Sequence, residues 1–420
     1  MQRFLIGAAA LAVLALSLRA SSGMAAGLDY FGDAGPAIDA LARWDLDAFF
    51  ADQPLMGSFS LLLRAPFVAL VFEQSLDTVY YVGALPCVAA TLVLGLALAR
   101  MLADRGQPPA VQGIAAGLAV INPVTFQALH WGHPEELLAG ALCVGAVLAA
   151  LRERSLLPGV LLGLALATKQ WAVLAILPAL LAAPSRRLAL AAVAGGIAAL
   201  LTLPALLVAG DQFQGVAEAA AGRNSSAAST TPWNVWWPLA ELRTLPGMGR
   251  RWMAPEWVPA VSHPLIVGLG VLLPALAWRR RGRRPDDALL LLALLLLLRC
   301  MLDNWDNVYY HVPFLLSLLA WETVRRPGPP RLALAVTLLL SISFWSRLTW
   351  MFPGSAPDAP LLFAFYMAWT LPLAAWLALT LYRPDLLRQY HRRRGAQTRP
   401  PAVRDRARPG GDRQLDRAPA

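Results

Sequence analysis

Of the 36 Lys and Arg side chains in this 420-residue chain, one is a lysine. Lys169 lies in LLGLALATKQWAVLAILPALL, among the most apolar stretches present. An ammonium at bilayer depth costs roughly 2.5–3.5 kcal/mol on insertion scales. A lysine kept there, with Gln170 beside it, suits the neutralisation of a phosphate in a cavity; the bland alternative is a side chain that snorkels to the interface. The run His130-Trp131-Gly132-His133-Pro134-Glu135-Glu136 sets two imidazoles three residues apart with two carboxylates just beyond. His-x-x-His near a carboxylate can bind a divalent metal, but no further ligand stands at a fixed spacing. The same run reads as a helix N-terminus, with Pro134 in its first turn and Glu135 and Glu136 facing the dipole, or as side chains that hydrogen-bond a sugar or phosphate.

Asp29 and Asp33 flank Tyr30-Phe31-Gly32. A carboxylate at the rim of an apolar cavity can act as general base on a hydroxyl, and Asp33 is the better placed of the two. Asp39, Asp45, Asp47 and Asp52 instead suit the polar side of a short interfacial helix carrying Ile38, Leu41, Trp44 and Phe49. TPWNVWWPLAELR offers Trp233 and Trp236 as stacking faces for sugar rings. DNWDNVYYH supplies Asp303 and Asp306 for sugar contacts and His311 for a phosphate leaving group, against the alternative of an interfacial aromatic belt.

The elements that position these groups are membrane helices. Hydrophobic residues make up 57% and charged ones 15%, where a soluble domain carries about a quarter charged; mean hydropathy is +0.52. Apolar runs fall at 4–20, 79–100, 110–129, 135–151, 187–208, 263–279, 287–302, 308–324, 331–350 and 360–382. The net charge of +10 gathers in Arg clusters at run ends and in the C-terminal tail, the positive-inside pattern, so nucleic acid is not an expected partner. Cys87, Cys143 and Cys300 lack paired spacing and read as buried thiols, neither a disulfide framework nor a metal site. No phosphate-binding glycine loop is present, so a sugar donor must be lipid-borne or already outside. The N-terminal run resembles a signal peptide but is read as an uncleaved first helix.

The stretch 156–183 has arginines at both ends, Arg152 and Arg154 before it and Arg186 and Arg187 after it. Both ends therefore face the cytoplasm, and two short helices must turn near Thr168-Lys169-Gln170. The segment 58–73, interrupted by Arg64 and Pro66, reads as a helix lying at the outer interface. The expected fold is an all-α polytopic bundle with about twelve crossings, both termini cytoplasmic, polar residues gathered on the outer side, and a disordered basic tail over 383–420 that is attracted to membrane lipids.

The order of elements resembles the GT-C superfamily of integral-membrane glycosyltransferases. More narrowly, INPVTFQALHWGHPEELLAGAL followed by LLGLALATKQWAVLAILPALL is similar to glycosyltransferase family 87. The resemblance covers roughly residues 1–380, which makes 1–382 one integral-membrane domain. It implies transfer of mannose or arabinofuranose from a polyprenyl-phosphate-linked donor to an envelope glycan or glycolipid on the outer face of the cell membrane, with inversion. It also implies Asp33, with Asp29 as rival, for the first-loop aspartate; His133, Glu135 and Glu136 for the second-loop polar residues, with His130 in the same turn; and Lys169 as the cation on the donor phosphate, helped by Arg64 or His311. His-Pro-Glu-Glu replaces the Asp-x-Asp or Asp-x-Glu of superfamily relatives, so no cofactor is expected and a divalent metal is not favoured. The rival from another class is a transporter or flippase of a lipid-linked sugar. Repeat symmetry and a site used from both sides would mark it; here the polar residues collect on one side.

Overall fold

The computed structural model describes residues 28–51, 57–71, 74–183, 185–212, 214–215, 229–245, 249–280, 284–344 and 359–386. The expected first helix at 4–20, Asp52 and most of the C-terminal tail lie outside them. Six described helices are long and apolar enough to cross a membrane: Leu76–Ala103, Pro109–His130, Pro134–Leu151, Arg187–Val208, Trp257–Arg279 and Ala359–Tyr382. The expected crossings at 287–302, 308–324 and 331–350 are the shorter helices Asp287–Leu302, Val312–Arg325 and Arg331–Ser343. At 1.5 Å per residue each spans less than the ~30 Å hydrocarbon core, so the described residues do not confirm the expected count of about twelve.

Burial sorts the helices into a centre and a rim. Pro134–Leu151, Asp287–Leu302 and Val312–Arg325 are buried almost along their whole length. Arg187–Val208 carries mean hydropathy 2.2 with only 11% of its span buried; Leu188, Leu200 and Leu207 are exposed. Apolar side chains facing outward at that density are stable against lipid and unstable against water. One helix end is tied down by a neighbour: Glu322 accepts hydrogen bonds from the backbone N–H of Leu332 and Ala333 at 3.0 Å, satisfying donors that the first turn of Arg331–Ser343 leaves open.

The paired short helices are present. Leu157–Leu166 ends at Ala167, and the chain resumes as a 3-10 turn, Gln170–Ala175, continuing into Ile176–Ala182. Their relative direction follows from two glycines. A Cβ on Gly159 would lie 2.9 Å from the Leu190 carbonyl oxygen, and one on Gly163 would lie 2.7 Å from that of Ala194. Four residues along one helix match four along the other, so Leu157–Leu166 and Arg187–Val208 run parallel. The segment between them must therefore run back, which puts Arg152, Arg154 and Arg186 at one end of the bundle and Lys169 at the turn. The Arg187 Nε donates to the carbonyls of Leu180 and Ala183 at 3.1 and 3.0 Å and closes the returning helix.

The segment at 58–73, expected as a helix, is one, Ser58–Ala69, with Pro66 inside it and Arg64 fully buried against its neighbours. Two expectations change. The acidic segment after Asp33 is two helices, Ala34–Ala42 and Leu46–Ala51. Trp44 sits in the turn between them at φ +61° and is 86% exposed, so it leaves the apolar face that Ile38 and Phe49 keep. The bundle is not wholly helical either: Glu241–Leu245 pairs antiparallel with Gly249–Met253, Arg243 opposite Arg251.

Candidate active site

The Asn-Pro step is what aims the polar turn. Buried Asn122 ends Pro109–Val120 and caps Pro123–His130: its Oδ1 accepts the Thr125 N–H at 2.9 Å and its Nδ2 donates to the Leu118 carbonyl at 2.8 Å. Pro123 has no N–H to lose at the first helical position. After His130 the chain turns through Gly132 at φ +88°, a left-handed conformation that suits glycine. His133 then stands at the N-cap of Pro134–Leu151, and Glu135 and Glu136 fall in that helix's first turn, both completely buried.

Lys169 comes to them from the turn between the short helices. That turn is held by residues 57–59: the Gly57 N–H donates to the Thr168 carbonyl at 3.0 Å and the Phe59 N–H to that of Ala167 at 2.9 Å. The strut is tight enough that a Cβ on Gly57 would lie 2.1 Å from the Ala167 oxygen. The Lys169 Nζ is 3.1 Å from Glu135 Oε1 and 3.6 Å from Glu136 Oε1. Its side chain keeps 13% exposure, more than either partner.

Four cations surround these two carboxylates. Arg64 Nη1 is 3.6 Å from Glu135 Oε2; its Nε donates to the Gly83 carbonyl at 3.3 Å, and neither Nη has a hydrogen-bond partner among the described residues. Arg299 Nη1 is 3.9 Å from Glu136 Oε2, and the guanidinium lies over the rings of Tyr310 and Trp171 at 4.3 and 5.2 Å. The Trp171 indole N–H donates to Glu136 Oε1 at 3.2 Å. His133 places Nδ1 2.9 Å from Glu135 Oε1 and Nε2 3.1 Å from Asp29 Oδ2. A neutral imidazole has one donor only, so a ring facing carboxylates on both sides is an imidazolium. Burial alone would lower its pKa; the bonds to Asp29 and Glu135 outweigh that and push it up to about 9. The ring stacks on Tyr309 at 4.1 Å.

The carboxylates on the open side are the aspartates before and after Tyr30-Phe31-Gly32. Asp29 is 42% exposed and engaged by His133. Asp33 is half-buried, stands at the N-cap position of Ala34–Ala42 without a capping side-chain bond, and acts electrostatically on Lys169. Thus Asp29, Asp33, Arg64, His133, Glu135, Glu136 and Lys169, scattered over the sequence, form one centre. Arg299, Trp171, Tyr30 and Tyr309 belong to it and were missed from sequence. Arg299 and Arg64 carried the same signal as Lys169, a charge inside apolar helix sequence.

The remaining candidates lie elsewhere. His311 is not beside Lys169; it is buried with Nε2 2.8 Å from the Tyr366 hydroxyl and 3.5 Å from Asp306 Oδ2. Asp306 is fully buried, and burial, helped by the charge of Asp303, pushes its carboxyl well above the usual range. Asp303 faces His263 at 3.7 Å. Trp233 is fully buried, stacks on Phe344 at 4.6 Å and donates to the Ser343 carbonyl, so its faces are covered by protein instead of open to a sugar. Trp236 is half-buried and donates to the Leu302 carbonyl at 2.6 Å. Gln170 is exposed at the start of the 3-10 turn, and half-buried His130 packs edge-on against Trp131.

Residues 55–302 match the family model described as Glycosyltransferase family 87. No curated protein matches the chain. Among solved structures, the archaeal oligosaccharyltransferase AglB from Archaeoglobus fulgidus, in complex with an inhibitory peptide and a dolichol-phosphate, is similar over 90% of this chain and 55% of that one, at 13% identity and a TM-score of 0.42. The chain spans about half the length of that protein, and so loose an overlap carries no argument about the site.

Proposed function

Because this chain belongs to glycosyltransferase family 87, we propose that it moves a sugar, mannose or arabinofuranose, from a polyprenyl-phosphate-linked donor to a hydroxyl of an envelope glycan or glycolipid at the outer membrane face. The observation that carries this reading is the gathering of cations around Glu135. Arg64, protonated His133, Lys169 and Arg299 bring four positive charges to one small centre, against the carboxylates of Asp29, Asp33, Glu135 and Glu136. Lys169, more exposed than Glu135 and Glu136, is placed to turn toward a phosphodiester. As the anomeric C–O bond breaks, the leaving polyprenyl phosphate gains a second negative charge, and fixed cations in a water-poor site lower that barrier. Lys169 is the cation that meets it, and the two unbonded Arg64 Nη groups offer hydrogen bonds.

Asp33 is assigned as the general base. Asp29 is already engaged by the His133 imidazolium, and its role is to hold that ring. Asp33 takes the proton of the acceptor hydroxyl as its oxygen attacks the sugar from the face opposite the phosphate, giving inversion. The protein's own cations supply the neutralisation a divalent metal would otherwise give, so transfer is assigned as metal-independent. The test is an assay of purified protein with radiolabelled polyprenyl-phosphate mannose and arabinofuranose in the presence of chelator. Transfer of either label is the expected result; no transfer from either, with folded protein and a mixed envelope acceptor fraction, contradicts the proposal.

A further inference from the structure

We propose that Cys300, Asp306 and His311 form a binding site for one divalent transition-metal ion of the zinc type, separate from the transfer centre. All three side chains are buried, and one ligand atom from each lies within 4.8 Å of the others. Sulfur, imidazole nitrogen and carboxylate oxygen together are the ligand set of tetrahedral zinc sites. The His311 Nε2 and Asp306 Oδ2 are 3.5 Å apart; bonds of about 2.0–2.1 Å at a tetrahedral ion hold such a pair roughly 3.3 Å apart. The His311 Nδ1 points at the Asn307 carbonyl, 3.3 Å away, and donates to it. This leaves the Nε2 lone pair toward the cluster, the outer hydrogen bond that metal-bound histidines use.

A second observation points the same way. Neither carboxylate oxygen of Asp306 makes a hydrogen bond of full geometry among the described residues, although the residue is completely buried and the Tyr366 hydroxyl and the Asn307 N–H stand beside it. A buried carboxylate without a cation against it is costly, and a dication supplies that charge. With the thiolate and the carboxylate the ion makes a neutral complex, the charge state that a low-dielectric interior tolerates. On binding, the S–H bond of Cys300 breaks, its electron pair goes to the metal and its proton to solvent. The Tyr366 hydroxyl, 2.8 Å from Nε2, stands where a fourth ligand belongs.

The place in the fold gives the ion a task. Cys300 lies at the end of Asp287–Leu302, His311 ends the Val308–His311 turn, and Asp306 lies on the loop between them. That loop holds the Trp-bearing segment: Thr231 Oγ1 donates to the Asp306 carbonyl at 3.0 Å and Asn234 Nδ2 to that of Asn304 at 3.1 Å. An ion joining both ends of the loop would fix that segment.

The experiment uses full-length protein in detergent, stripped with chelator and titrated with Co²⁺ while the thiolate-to-cobalt charge-transfer absorption is followed. We expect one equivalent of cobalt and a band that Cys300→Ala abolishes. Cys87→Ala and Cys143→Ala should leave the band in place, and His311→Gln should weaken retention at least about tenfold. Folded wild-type protein that takes up no stoichiometric cobalt overturns the proposal, as does uptake that Cys300→Ala leaves unchanged. The readout is metal content and absorption, so it is independent of whether the transferase reading holds.

Discussion

Two buried polar centres have Arg299 as a common neighbour. Around Glu135 each carboxylate faces cations: Lys169, His133 and Arg64 on Glu135, Lys169 and Arg299 on Glu136. Around Asp306 the one ion-pair partner among the described residues is a histidine whose bonds suit a neutral ring. The first centre draws on five separate stretches of chain and opens toward half-buried Asp33 and Asp29. The second draws mainly on one loop and its flanks and is closed. A low-dielectric interior tolerates charge when opposite charges are brought to it, which is costly in topology but leaves a field ready for a phosphate. It otherwise tolerates an acid that is neutral or bound to a metal.

The sharpest way to break this contrast is to remove one acid from each centre. Glu135→Gln leaves Lys169, His133 and Arg64 without their common partner; uncompensated buried charge costs about 3–5 kcal/mol. Thermal unfolding in detergent should show that loss, together with loss of turnover. Asp306→Asn, compared in chelator, should change stability by no more than about 1 kcal/mol, since the buried acid is neutral without the metal and the amide keeps its shape beside Tyr366 and Asn307. Equal losses would erase the distinction.

Next in size is the base. Asp33→Asn should lower kcat by about 100- to 10,000-fold with donor affinity little changed. Asp29→Asn acts through His133 and should cost less. Asp45→Asn, on an exposed face, should do nothing measurable. If Asp29→Asn proves the more damaging, the two roles are exchanged.

The smallest effect is pH. His133 has its pKa raised from 6.5 to about 9 by Asp29 and Glu135 against burial. Its contribution to stability is therefore complete below about 6.5 and is lost as pH rises through about 9. The melting temperature of His133→Gln should lack that alkaline decline. A wild-type melting temperature that stays level across it would mean that His133 is neutral.

The turn at Lys169 was legible in sequence because arginines at both ends of 156–183 allow only a return. The meeting of Lys169 with His133 and Glu135 followed from placing both polar turns on one side. Arg299 also ends a run of leucines, but arginine is the ordinary cation of this chain, so its type does not single it out as the one lysine does. Trp233 was misread since composition reveals an aromatic ring but not what covers it. His311 was assigned to the phosphate because it is near aspartates in sequence; its Tyr366 partner lies 55 residues away and nothing in the pattern announces it.

In the proposed mechanism Lys169 meets the phosphate of a lipid-linked donor as its charge develops. The direct measurement is single-turnover transfer from labelled polyprenyl-phosphate sugar by wild type, Lys169→Arg and Lys169→Met, each verified as folded. The account predicts no detectable transfer by Lys169→Met and impaired transfer by Lys169→Arg, whose forked guanidinium replaces a point charge. Near-wild-type turnover by folded Lys169→Met would contradict it.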